Sequence, residues 1–482
     1  VRKFIKKFFS VLLVSALFLS GCGNTSNTNT PKYVFYFIGD GMGSSHRMLA
    51  EGYMQYKTND MTYRLAMNDM PITANLTTRS LSSQITDSAA AGTALASGEK
   101  TGTGIIGLDE SGEVEYTSIL KALQQKGMSV GLVTNVTITH ATPASFGANV
   151  KSRNDETTIA KQYLAAEYDY LAGGGARYFL SEENGGKREA GDDLIDDFEE
   201  KGYKVDTSLE DYQTTDFSSV TKYLGIYQNK YLTDVITQTN TEKTSPTLAE
   251  MVTNGIEVLS KNKNGFFMMV EGGYIDGAAH NNDTATVLHE MLAMDDAVKV
   301  ALEYYEKYPK ETLIIVTADH ATGGLSLGYN SYSVNYQPLD SITSSYAEAI
   351  DPYLINKDYD GFFNAIEQSW NVSLSNQDKE DIKRRIDEFP IANLAYDLGM
   401  DPQKIPHIES SKHMMGLGGY AASFVLSRET KIGWATQAHT AEPVPMTSIG
   451  VGSNKLAKCS DISEIAPILA EIFGVKVGIV DN

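Results

Sequence analysis

The sequence predicts an α/β fold: a large central, mostly parallel β-sheet flanked by helices, with an inserted subdomain. Short apolar runs rich in β-branched and aromatic residues end in Gly or Asp within residues 32–43, 264–280 and 311–324, the pattern of buried strands. Helical patterns lie between them, and such alternation places functional groups beyond the carboxyl ends of parallel strands. Residues 330–430 break the pattern. At 482 residues the chain exceeds the size at which one core stops growing, so one large domain with an insertion, or two domains, are the candidates.

Taken in order, Arg2, Lys3, Lys6 and Lys7 precede the apolar run "FFSVLLVSALFL". It is too short to span a bilayer comfortably and reads, over residues 1–21, as a signal peptide. Leu19-Ser20-Gly21-Cys22 resembles the lipobox of bacterial lipoproteins, which implies Cys22 as the lipidated first residue of the mature chain. Residues 22–31 follow as a polar tether. Cleavage removes four cations and no acid, taking the net charge from −21 to −25. That argues against a nucleic-acid partner, and an enzyme acting on anions would need local cations such as metal ions. With Cys22 given to lipid, Cys459 has no disulfide partner.

Residues 32–43 form the first strand. In "QITDSAAAGTALASG" Asp87 reads as an N-cap and Gly98 as a stop, which leaves Ser88 on the first turn. There the helix dipole and free amides stabilise a negative oxygen. The helical "TSILKALQQKG" leads into a strand within 128–144, and the polar, Tyr-rich residues 181–243 read as surface loops with short elements. In "SPTLAEMVTNGIEVLSKN" Ser245 is the expected cap and Pro246 the first helical residue, with Leu248, Met251, Val252, Ile256 and Leu259 on one face. The stretch 330–430 passes through the charged helical "SNQDKEDIKRRIDEF" to "HMMGLGGYAASFVLS", an inserted subdomain by pattern, leaving 32–329 and 431–482 as the catalytic domain.

The strand ends and the helix start collect Asp40, Asp87 and Ser88, His140 and Thr142, Glu271, Asp276 and His280, and Asp319 and His320. Asp276 and His280 are four apart, so a helical turn puts both on one face to grip one ion. Two such open sites side by side are the clamp used for in-line phosphoryl transfer. Five separate segments carrying the same chemistry are not expected from turn and cap statistics.

These residues resemble the alkaline phosphatase family across 32–460, in "FIGDGMG", "TDSAAAGTALASG", "THATPASF", "VEGGYIDGAAH", "VTADHATGG" and "AHTAEPVP". The resemblance implies an alkaline phosphatase-like fold whose insertion is crown-like over the active-site mouth or forms a homodimer contact. It implies two zinc ions, one on Asp276, His280 and His439 and one on Asp40, Asp319 and His320. Ser88 is then the nucleophile on the second zinc and becomes a transient phosphoserine, and Arg153 binds phosphate oxygens. Glu271 and Thr142, with Asp40 bridging, imply a third site normally filled by magnesium. His140 stands where other members have Asp, and it also suits zinc.

Gly277 stands where several relatives carry Lys, His or Trp near the phosphate, so weaker product binding is expected. Trp434 reads as packing, His407 and His413 as surface or locally hydrogen-bonding residues, and His46 and His289 as structural residues or as supports behind the ligands. The implied activity is hydrolysis of small-molecule phosphate monoesters by an extracytoplasmic enzyme, lipid-anchored to the bacterial envelope. A phosphodiesterase of the same superfamily is the alternative, disfavoured by Ser88, Glu271 and Thr142. A sulfatase lacks its expected nucleophile motif here, and a phosphate-binding protein without turnover would not need Ser88.

Overall fold

The computed structural model describes residues 30–356, 358–387 and 417–479. The leader, Cys22, most of the tether, His407 and His413 lie outside the described residues. Among the described residues no helix is long and apolar enough to cross a membrane.

Nine strands make one sheet: β1 Tyr33–Gly39, β2 Ile72–Leu76, β3 Ser129–Thr137, β4 Tyr170–Gly174, β5 Lys204–Asp206, β6 Tyr223–Ile226, β7 Phe266–Gly272, β8 Thr312–Ala318 and β9 Val444–Gly450. Their order is β2-β9-β8-β1-β7-β3-β4-β6-β5, and within it only β9 runs antiparallel to its neighbours. The central β1, β7 and β8 are buried along their whole length. That is why "YVFYFIG", "FFMMVEG" and "TLIIVTA" read as near-continuous apolar runs rather than alternating ones.

Register fixes the site. Gly39 pairs with Gly272 on one side and Ala318 on the other, so β1, β7 and β8 end level. Asp40 and Asp319 therefore emerge on the same edge, beside Glu271.

Two expectations need correction. The helix Leu248–Leu259 is capped by Thr247, not Ser245, because Thr247 and Glu250 form a reciprocal capping box just inside the expected start. Leu248, Met251, Val252 and Leu259 are buried as expected, and Ile256 is half-buried. Residues 181–243 hold short elements as expected, and two of them, β5 and β6, join the edge of the sheet. These strands are too short to show periodicity. The strand within 128–144 stops at Thr137, and Ala141–Gly147 is a helix that starts at His140.

Residues 330–430 carry helices at Tyr359–Ser369, Asn376–Asp387 and Leu417–Thr430, among others, where described. The two ends of this stretch meet in a short antiparallel ladder, Ser326↔Gly433 and Leu327↔Ile432. Its first part is tied to the body by Asp340, which accepts from Tyr53, Tyr56 and Lys57 at 2.8 to 3.0 Å. Cys459 is a buried free thiol.

Candidate metal centre

The helix Ser88–Ser97 begins as its sequence predicts. Asp87 is its N-cap, with Oδ1 accepting from Ala90 N at 3.0 Å, and Gly98 closes it in the left-handed conformation. Asp87 Oδ2 is left to accept from Gly104 N at 3.0 Å and from Arg153 Nη1 at 3.2 Å. Ser88, the first helical residue, is buried and has Oγ 3.3 Å from His320 Nε2. Gly41, at φ +72°, lets the turn after β1 pass close to the opposite side: a Cβ there would lie 2.8 Å from Asp276 Oδ1.

Three groups of side chains bring ligand atoms within 4.8 Å of one another: Asp276, His280 and His439; Asp40, Asp276 and His320; and Asp40, His140 and Glu271. Asp276 and His280 share one face of the helix Tyr274–His280. His439 arrives from far along the chain, held by a two-residue ladder with Ala321–Thr322 that stacks its ring 3.6 Å from that of His320.

Proton bookkeeping shows what the groups want. His280 Nδ1 lies 2.5 Å from the Gln437 carbonyl oxygen and His439 Nδ1 2.8 Å from that of Thr86. A carbonyl only accepts, so each ring carries its proton on Nδ1 and turns an Nε2 lone pair inward. Those two Nε2 atoms are 3.1 Å apart and face Asp276 oxygens at 3.1 and 3.6 Å. Lone pairs and a carboxylate so disposed repel unless a cation lies among them.

His320 follows the same logic. Thr322 gives its hydroxyl hydrogen to Asp276 Oδ1 at 2.5 Å, so it accepts from His320 Nδ1 at 3.2 Å, and His320 Nε2 again points inward. Asp40 Oδ1 and Asp319 Oδ2, at 3.4 and 3.3 Å from that nitrogen, are both buried without a hydrogen-bond partner. A buried carboxylate left without a partner is costly enough that it takes up a proton or a cation. Burial, with repulsion from Asp319, Asp276 and Glu271, raises the Asp40 carboxyl well above its usual range; burial and Asp276 push Asp319 up to about 8. The donor set therefore fits divalent cations.

The third group differs. His140 Nε2 is 3.2 Å from Arg153 Nη2, and a guanidinium only donates, so the proton sits on Nδ1, 3.3 Å from Glu271 Oε1. As placed, His140 offers Glu271 an N–H and not a lone pair. Ligation through Nδ1 requires the other tautomer and release of Arg153. Thr142 donates to Asp40 Oδ2 at 3.4 Å, and Thr134 to Glu271 Oε2 at 2.5 Å.

Trp434 packs as expected, its indole N–H donating to Thr284 and its ring lying edge-on to His46. Burial lowers His46 to about 4, as fits a neutral interior histidine, and lowers the half-buried His289 as well. Sequence reasoning missed Asn135, Thr322, Tyr231 and Tyr274. Tyr231 stands edge-on to His140 and to Tyr274, half-exposed beside the third group. A lone Tyr in a polar loop gives no periodic signal, and only the fold brings it there.

A family profile described as "Alkaline phosphatase" matches residues 31–475. The chain is similar to "Alkaline phosphatase 3" of Bacillus subtilis, 31% identical over 97% of this chain and 96% of that protein. It is similar also to "Alkaline phosphatase 4" of the same organism, 30% identical over 91% and 88%. Among solved structures, that of Thermus thermophilus alkaline phosphatase superposes with a TM-score of 0.75 at 26% identity, covering 95% of this chain and 96% of that one. A cold-active alkaline phosphatase from Shewanella sp. gives 0.73 at 27%, covering 91% and 99%.

Proposed function

The chain belongs to the alkaline phosphatase family and is a phosphoric monoester hydrolase, and we propose that Ser88 is its nucleophile, working through a phosphoserine intermediate. Two zinc ions, one held by Asp276, His280 and His439 and one by Asp40, Asp319 and His320, with magnesium or zinc on Asp40, Glu271, Thr142 and His140, would supply Lewis-acid stabilisation of the anionic oxygens. The chain's own residues do the rest. Arg153, braced by Asp87, presents its planar fork to two non-bridging phosphate oxygens. Ser88 Oγ, at the positive end of its helix, gives its proton to solvent water and attacks phosphorus, and the departing alcohol oxygen takes a proton back from water. The bond from phosphorus to the alcohol oxygen breaks opposite it, and the alcohol leaves protonated. Water then attacks the phosphoserine from the vacated side, freeing Ser88 and inorganic phosphate.

One observation carries this reading: Ser88 Oγ shares its position around His320 Nε2, at 3.3 Å, with the two orphaned oxygens of Asp40 and Asp319. A nucleophile and a metal position coincide there. The test is hydrolysis of p-nitrophenyl phosphate against bis(p-nitrophenyl) phosphate at alkaline pH, for the metal-restored protein, the chelator-stripped protein and Ser88→Ala. Monoester turnover is expected to vanish with chelation and with Ser88→Ala. A preference for the diester, or full turnover without Ser88, would overturn the assignment.

The leader supports an extracytoplasmic enzyme anchored to the cell envelope by lipid on Cys22, with residues 330–430 as an inserted subdomain. Cys22→Ala is expected to abolish incorporation of labelled palmitate; unchanged labelling removes the anchor from the account.

A further inference from the structure

One buried polar contact set reaches the ligand-bearing helix from behind. β3 pairs with β7 up to Thr134↔Glu271, and its register against β4 shifts between Val133 and Thr137. Such irregularities re-aim side chains next to active sites. Asn135, inside the shifted stretch, is buried and turned toward the end of β7. Its Oδ1 accepts the backbone N–H of Gly273 at 2.8 Å and of Tyr274 at 3.2 Å. Its Nδ2 donates to Glu290 Oε2 at 2.8 Å, and Glu290 Oε1 accepts from Val235 N, also at 2.8 Å.

Gly273 is the N-cap and Tyr274 the first residue of the helix that carries Asp276 and His280, and Gly273 has no side chain with which to cap it. The amides at a helix start lack intrahelical partners. Asn135 takes two of them from a neighbouring strand, so the height and rotation of this helix are set by β3. Gly273 is also two residues past Glu271, which faces the third group. A single amide thus spans the joint between two of the three ligand groups, and its orientation is fixed by Glu290, whose oxygens face two N–H donors.

We propose that Asn135, oriented by Glu290, is a positioning residue for metal binding: it fixes the helix bearing Asp276 and His280 relative to the strand end bearing Glu271. The proposal rests on the metal reading above. Its polarity gives the test. Asn135→Asp keeps an acceptor for Gly273 and Tyr274 but sets a carboxylate against Glu290. Adding Glu290→Gln reverses the pair, since the new amide can donate to the new carboxylate and still accept from Val235.

Zinc affinity of chelator-stripped protein is measured by competition with a chromophoric chelator, with unfolding temperatures of the stripped proteins read alongside. Burial raises the Glu290 carboxyl well above its usual range, and a second carboxylate beside it raises it further, so binding is read across about pH 7 to 9.5. Asn135→Asp is expected to weaken zinc binding about 10-fold, and Asn135→Ser, which adds no charge, to weaken it in the same direction. The double variant is expected within about 3-fold of the unsubstituted protein, a coupling that only direct partners show. Unchanged affinity in both single variants, or a double variant no better than Asn135→Asp, overturns the proposal, even if unfolding temperatures fall. Absence of zinc binding by the unsubstituted protein overturns the metal reading itself, and the positioning role with it.

Discussion

Asp87 serves three neighbours with two oxygens, one oxygen for its own helix and the other for Gly104 and Arg153. Asp87→Asn keeps the cap through Oδ1 but turns an amide N–H₂ toward Gly104 N and Arg153. Both hydrogen bonds to Oδ2 are lost, and the one from Arg153 alone is worth about 1.5–3 kcal/mol, so kcat/KM for a monoester is expected to fall roughly 10- to 100-fold, with a modest fall in unfolding temperature from the Gly104 contact. An unchanged kcat/KM would mean that Arg153 needs no brace. Gly277 is the second residue whose role is testable singly: a side chain added there would enter open space. Gly277→Lys is expected to tighten inhibition by inorganic phosphate, by up to about 10-fold for one added charge contact; unchanged inhibition contradicts it. Among the ligands, the sequence made chemistry legible wherever residue type and spacing coincide, as at Asp276 and His280. Which nitrogen each histidine presents was not legible. That depends on carbonyls of Gln437 and Thr86 and on the hydroxyl of Thr322, which only the fold brings to the rings they orient.

Elements that carry their own signal were readable: the fully apolar strands β1, β7 and β8, and the Asp-capped, Gly-stopped helix after Asp87. Elements that exist only through their neighbours were not. β5 and β6 are three and four residues long and are strands because β4 offers them an edge. The cap at Thr247 was hidden because Ser245-Pro246 is a good start signal, and the capping box with Glu250 outcompetes it. In the segment between residues 330 and 430, Arg428 of the last helix binds Asp378 of an earlier one at 2.8 Å and holds the Asp378 carboxyl down at about 2. A carboxyl whose folded value lies below its unfolded value of about 3.9 stabilises the fold above that pH and loses the contribution as pH falls toward 2. Arg428 is about half exposed, so the pair is worth only about 0.5–1 kcal/mol. Arg428→Met is expected to lower unfolding temperature modestly at neutral pH and to match the parent near pH 2, as measured by acid titration of helical circular dichroism.

The whole molecule carries a formal charge of −21, and its substrates are anions. Attraction over distance therefore cannot draw them in; the cations that matter lie inside the site. Raising ionic strength from about 0.01 to 0.15 M shortens the screening length from about 30 to 8 Å, and kcat/KM for a dianionic monoester is expected to rise over that range. A fall would point to a positive funnel that outweighs the net charge. Metal removal is expected to act on the entire fold, because the proposed ligand groups join β1, β7, β8 and the His439 ladder. Restoring zinc at about 1,000 times its dissociation constant should return about 4 kcal/mol of stability, read as a concentration-dependent unfolding temperature. The position of His439 has a further consequence for how such a molecule is made. It lies 119 residues beyond His320, and β9, which wedges between β2 and β8, follows it. During synthesis, a nascent chain emerging from the ribosome has all its other ligands long before this one. Until residue 439 has emerged and docked on Ala321–Thr322, the Asp276–His280 pair lacks its third arm and the sheet lacks its antiparallel strand. A chain truncated anywhere in the preceding hundred residues therefore lacks both, and the centre can be completed only once residue 439 has docked.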